Sequence, residues 1–303
     1  MTTSGQRAVA GAGLALASLA GLAAVVAVFL STAAGQRVDE TALQGARIGR
    51  GHLIEGALTV LGLVSVVGLA LATGTVVVIA FSRRRGDLAL AAVALVVGAN
   101  MTTQVLKHGV LDRPDLGIDT LTLNSLPSGH STVAASVAVA LVLVVPARLR
   151  GLLALFGTGT AALTGVATLA AGWHRPSDVV AGYLVVGAWL GIVTIGLAVV
   201  RPIREQPLER RVHGRSRPSP AAVLLALLAV VALAVAAIAY WRTLGLDSIA
   251  RERGDLLLSY GGGAAAIAGV AALLLVAALV TAPQDEPAPR TETLSARGAA
   301  RSR

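Results

Sequence analysis

Long apolar stretches separated by short polar ones dominate this chain. Eight of them, at about 8–30, 56–81, 88–106, 131–147, 151–172, 179–200, 220–240 and 256–281, approach or exceed the length that crosses roughly 30 Å of hydrocarbon. An isolated apolar strand in lipid leaves its backbone groups unpaired, so each stretch is predicted to be helical. The expected fold is all-α, a polytopic membrane bundle with a six-helix core over residues 1–200 and two further membrane helices over 220–282. An arginine-rich loop, 201–219, joins them, and a polar tail, 283–303, is too poor in large apolar residues to bury a core. The first stretch runs for about 23 residues, longer than a signal-peptide h-region, and is expected to remain as a helix.

Composition agrees with this pattern, because 55% hydrophobic and only 14% charged residues exclude an ordinary soluble domain. The excess of Ala, Val, Gly and Arg over Lys suits a GC-rich bacterial genome and hence a bacterial plasma membrane. The net charge of +9 is read as a signal of membrane orientation rather than of nucleic-acid binding. Arginines cluster at Arg83-Arg84-Arg85, at Arg148 and Arg150, and six times between Arg201 and Arg217. By the positive-inside rule these loops are cytoplasmic, and 31–55, 107–130, 173–178 and 241–255 face outward. Six arginines break the rule from the outer side: Arg37, Arg47, Arg50, Arg242, Arg251 and Arg253. Ionisable residues are nearly absent from the helix interiors, with Glu55 the nearest exception, which argues against an ion-coupled transporter.

The polar chemistry gathers on that outer side. Its pieces are Lys107 through Arg113-Pro114, then Pro127-Ser128-Gly129-His130, then His174-Arg175-Pro176-Ser177-Asp178. Lys107 is the only lysine among 25 Lys and Arg residues. A lysine, a fork-shaped arginine and the free N–H groups of a helix start are the groups that neutralise an oxyanion. Alone, Ser128-Gly129 before a helix reads as an N-cap and turn; the two histidines shift that reading toward phosphate. Asp178 lies one helical turn from His174, close enough to accept one ring N–H and fix the tautomer, and Pro176 suits the first turn of that helix. No acidic cluster with ligand spacing accompanies the histidines, so a metal site is not expected.

In order, side and placement, these motifs resemble the type 2 phosphatidic acid phosphatase superfamily, which also includes vanadium haloperoxidases, over roughly residues 8–200. The resemblance implies a membrane phosphatase acting on lipid phosphate monoesters or diphosphates without a cofactor. It implies His174 as the nucleophile that becomes phosphohistidine, His130 as general acid, and Asp178 as the partner of His174. Lys107, Arg113, Ser128 and Gly129 would bind the phosphate. Two departures stand out: five residues rather than six separate Lys107 from Arg113, and the family's Ser-Arg pair is replaced by Ala167 and Thr168. Thr168 can donate one hydrogen bond but no cationic fork, so Arg175, Arg47 or Arg50 is expected to substitute for the missing arginine. Phosphatidate, phosphatidylglycerol phosphate and polyprenyl diphosphate all suit an outward site among membrane lipids, the last favoured by sidedness. The alternative is a non-catalytic relative that binds lipid or scaffolds partners, suggested by the missing arginine.

Overall fold

The computed structural model describes residues 4–63, 66–118, 123–200, 219–246 and 248–283. Apart from Ser219 and Pro283, the expected arginine-rich loop and polar tail lie outside the described residues. Among those residues all regular structure is helical. The order is α1 (Ser4–Val25, continued by a π-turn to Leu30), α2 (Ala33–Ala46), α3 (Arg50–Leu63), α4 (Val66–Ser82) and α5 (Gly86–Val105, continued by a π-turn Leu106–Val110). There follow α6 (Gly129–Val144), α7 (Ala147–Ala170), α8 (Pro176–Val200), α9 (Pro220–Leu244) and α10 (Arg253–Thr281). Helices α1, α5, α7, α8, α9 and α10 are long and apolar enough to cross a membrane. The two other expected spans are shorter apolar pieces, α6 and the end of α4. The chain is an all-α multi-pass membrane protein, as its hydropathy predicts.

Small residues set the packing. Helix α1 lies along α8, where Gly11, Ala15 and Ser18 meet Gly187 and Gly191 at distances that leave no room for larger side chains. The last two helices behave differently from each other. Leu224, Leu227, Val230 and Ile238 of α9 are exposed, as suits a lipid-facing helix. By contrast α10 packs against α2, α6, α7 and α8, with Ile267, Ala271, Leu275 and Ala278 fully buried. The final helix therefore belongs to the same core as the motif-bearing helices.

Helix α2 falls where the sequence suggests only an outward loop. Thr32 caps it by accepting a hydrogen bond from the Gly35 N–H at 3.0 Å. Its buried residues mix Gln36, Asp39, Glu40 and Thr41 with Val38, Ala42, Leu43 and Ala46, so the polar members interrupt any apolar run to read. At the opposite end of the bundle the arginines finish helices. Arg83 donates to the Val144 carbonyl at the end of α6 (2.6 Å), and Arg150 to Val145 (3.2 Å) and to Pro283 just past α10 (2.6 Å). The Arg83 and Arg148–Arg150 clusters thus sit at one end of α6 and the Ser-Gly-His motif at the other.

Candidate active site

The three polar motifs converge at the starts of α6 and α8. The two helix starts are pinned together by a hydrogen bond from the Ser128 N–H to the Asp178 carbonyl (2.8 Å). Gly182, one turn further along α8, permits this crossing: a Cβ there would lie 2.9 Å from the Thr132 hydroxyl and 3.0 Å from the Ser128 carbonyl. Asn124 staples the first motif to the second. Its side-chain amide donates to the carbonyls of Lys107 (3.2 Å), Leu111 (2.8 Å) and Leu126 (3.1 Å).

His174 is buried, and its Nδ1 lies 3.2 Å from an Asp178 carboxylate oxygen, while Nε2 has no hydrogen-bond partner among the described residues. The same oxygen accepts from the Ser125 hydroxyl (2.6 Å) and from the Arg175 backbone N–H (2.9 Å). Asp178 is the third residue of α8, and by reaching back to Arg175 it completes half of a capping box. The turn that delivers His174 passes through Gly172 at φ +75°, which favours glycine. The Thr168 carbonyl receives the N–H groups of Trp173 (3.0 Å) and His174 (3.3 Å). The Thr168 hydroxyl donates to Gly165 within its own helix (2.7 Å). Thr168 therefore shapes the histidine turn, and its hydroxyl is not turned toward an anion as the sequence reading allowed.

The two helix starts are not equivalent. At α8 the N–H of Ser177 is taken by an Asp39 carboxylate oxygen (3.1 Å) and the Ser177 hydroxyl by the other. At α6 the Ser128 hydroxyl caps the helix, accepting from the Ser131 N–H (3.4 Å), and the Ser128 N–H is already committed. The Ser128 amide is therefore not available to an anion, and any part Ser128 takes in phosphate binding falls to its hydroxyl. The N–H groups of Gly129 and His130 have no partner among the described residues, so the open anion-binding end belongs to α6.

Arg113 supplies the complementary charge. It is 8% exposed, and its buried Nε and one terminal nitrogen have no hydrogen-bond partner. Burial and then the Arg175 cation pull this guanidinium below its ordinary pKa, with Asp39, Asp178 and Glu40 acting in the other direction. A buried cation with idle donors is costly unless an anion arrives to accept from them. Lys107 lies on the π-turn that ends α5, and both it and His174 are within electrostatic reach of His130. The His130 ring packs on Trp173, centroids 5.5 Å apart. Thus the structure brings Lys107, Arg113, Gly129, His130, His174 and Asp178 together around the starts of α6 and α8. Among the described residues no group of three His, Asp or Glu side chains is arranged to hold a metal ion.

Arg175 does not stand open beside Arg113. Its Nε and a terminal nitrogen both donate to one Glu40 oxygen (3.1 and 3.0 Å), and its other terminal nitrogen donates to Ser125 (3.3 Å). Of the other candidate substitutes, Arg47 is exposed and the Arg50 side chain lies outside the description. Residues 87–202, which contain every motif residue, match the model of the PAP2 superfamily. This stretch is a PAP2-superfamily region. No curated protein matches the chain. Among solved structures, the first transmembrane PAP2 type phosphatidylglycerolphosphate phosphatase from Bacillus subtilis aligns at 24% identity and a TM-score of 0.46. That alignment covers 68% of this chain and 98% of that one. The carboxylates Asp39 and Glu40, which hold the start of α8, lie outside the PAP2 region, on α2. Sequence reasoning missed both, along with Ser125 and Asn124; the only available signal was an acidic pair in a segment taken for a loop.

Asp39 is fully buried, and burial followed by the Asp178 charge pushes its carboxyl up to about 7. A raised folded-state value means the folded protein binds the proton more tightly than the unfolded chain. The resulting stability is complete below the unfolded value of 3.8 and is lost as pH rises toward about 7. Thermal unfolding in detergent should therefore show greater stability at pH 5 than at pH 8, by on the order of 2 kcal/mol from this group. Asp39→Asn should flatten that difference; an equally steep profile in the variant would assign it to other groups.

Proposed function

We propose that this chain is an integral membrane phosphatase that hydrolyses a lipid phosphate monoester or diphosphate through a phosphohistidine on His174. The observation that carries the reading is the pairing of His174 with Asp178 beside a buried Arg113 whose donors are idle. With Nδ1–H held by the carboxylate, Nε2 keeps its lone pair and attacks phosphorus. The new P–N bond forms as the P–O bond to the lipid breaks, and His130 delivers its proton to the departing oxygen. Water then attacks phosphorus, gives its proton to His130, and the P–N bond breaks to release phosphate. Charge on the transferring group is met by Arg113, Lys107 and the open N–H groups of Gly129 and His130.

The site lies at the ends of membrane helices, where a lipid phosphate sits at headgroup level. It also lies at the end of α6 away from Arg83 and Arg150, which supports an extracytoplasmic opening in a bacterial plasma membrane. Phosphatidate, phosphatidylglycerol phosphate and polyprenyl diphosphate are the candidate substrates. The decisive test is phosphate release by the detergent-purified full chain from each lipid with a chelator present. Release that survives chelation supports metal-independent histidine chemistry. No release from any of the three lipids overturns the catalytic reading and favours the lipid-binding alternative, to which the missing arginine at Thr168 already points.

A further inference from the structure

Three segments that the arginine pattern places outside meet in a second, polar cavity of about 350 Å³. It is lined by Arg37 and Gln44 of α2, by Gly117 and Ile118 beyond Arg113, and by Ser248 to Arg251 between α9 and α10. Two of the six arginines that break the positive-inside rule therefore share one pocket. The Nε of Arg37 is buried without a hydrogen-bond partner. No Asp or Glu lines the cavity among its described residues. Two guanidiniums on one cavity, one with an idle buried donor, and no carboxylate among the described lining residues suit an anion with several oxygens.

The cavity is built onto the walls of the phosphate site. Gln36, which precedes Arg37, donates to the carbonyl of Pro114, which follows Arg113 (3.1 Å). Glu40, one turn beyond Arg37 on α2, holds Arg175 of the active site. On the other wall the Ala250 N–H donates to Thr41 (3.4 Å), and Gly117 turns at φ +72° with its N–H on Asp115 (3.0 Å). The backbone frame is thus fixed by side-chain hydrogen bonds from both sides.

We propose that Arg37 and Arg251 form a second anion subsite that binds the non-scissile phosphate of a substrate carrying two phosphates. This rests on the phosphatase reading for the meaning of non-scissile, but the binding itself does not need turnover. The shared chemistry is a phosphate dianion or diester, which could come from the substrate lipid or from free phosphate. The test uses full-length His174→Ala protein in detergent. Affinities are measured for phosphatidylglycerol phosphate, phosphatidate and phosphatidylglycerol, with and without Arg37→Gln plus Arg251→Gln. Inorganic phosphate is added as a competitor.

The expected result is a preference for the two-phosphate lipid over phosphatidate that falls about tenfold or more when both arginines are replaced. Millimolar inorganic phosphate should leave that preference largely intact, because the subsite gains from the tether to the bound lipid. A ratio unchanged by the double replacement, or no preference in the parent protein, overturns the proposal. Loss of the preference in free phosphate alone also overturns it, by assigning the pocket to the free ion. A parent enzyme that cleaves none of the lipids yet shows the arginine-dependent preference removes the phosphatase reading and leaves the subsite standing.

Discussion

Replacing His174 with alanine is expected to lower turnover of a lipid phosphate by on the order of 10⁴-fold or more, and to abolish acid-labile labelling of the protein by a labelled substrate. The more informative comparison is at Asp178. Three donors, from His174, Ser125 and Arg175, converge on a single oxygen of its carboxylate. In Asp178→Asn the amide oxygen can take that position and keep all three hydrogen bonds, so His174 keeps its tautomer and loses only the neighbouring negative charge. The expected fall is about 10²-fold, the scale of exchanging a charge-assisted hydrogen bond for a neutral one. In Asp178→Ala the tautomer is no longer fixed and two further buried donors lose their acceptor, so the loss should approach that of His174→Ala. Equal losses for Asn and Ala would mean that charge alone matters at this position; full activity of His174→Ala would put the nucleophile elsewhere.

The apolar stretches made most of the fold legible, because in lipid a long uncharged segment has one solution to its backbone hydrogen bonds. The same physics hid α2. Its buried Gln36, Asp39 and Glu40 face partners rather than lipid, so a helix that organises the site has the composition of a loop. The convergence of the polar motifs was legible, because their order and spacing are chemical. Their support was not, since Asn124, Ser125 and the α2 carboxylates act through pairings up to 138 residues apart in sequence. Ser128 shows a different limit. Its type and place pointed to an anion-binding helix start, yet only the fold reveals that its own N–H is spent on Asp178 and that Gly129 and His130 supply the open donors.

Glu40→Ala is expected to destabilise the protein by about 3–5 kcal/mol, because it strips a buried guanidinium of its main acceptor. Arg175 is 5% exposed, and two of its nitrogens rest on that one carboxylate oxygen. Its charge already disfavours the Arg113 cation, so without Glu40 two buried guanidiniums face each other with less compensation. The double replacement Glu40→Met with Arg175→Met removes both members of the pair and should recover much of the stability, as apolar substitutes for buried pairs often do. The single variant should also respond to anions: phosphate or vanadate should raise its unfolding temperature more than that of the parent, since the released Arg175, within electrostatic reach of Arg113, could join it on an oxyanion. That outcome would explain how a chain with Thr168 in place of the family's arginine keeps a second phosphate cation in reserve. A Glu40→Ala protein as stable as the parent, or one indifferent to anions, would instead confine Arg175 to a structural role at the start of α8 and leave Arg113 and Lys107 as the cations of the site.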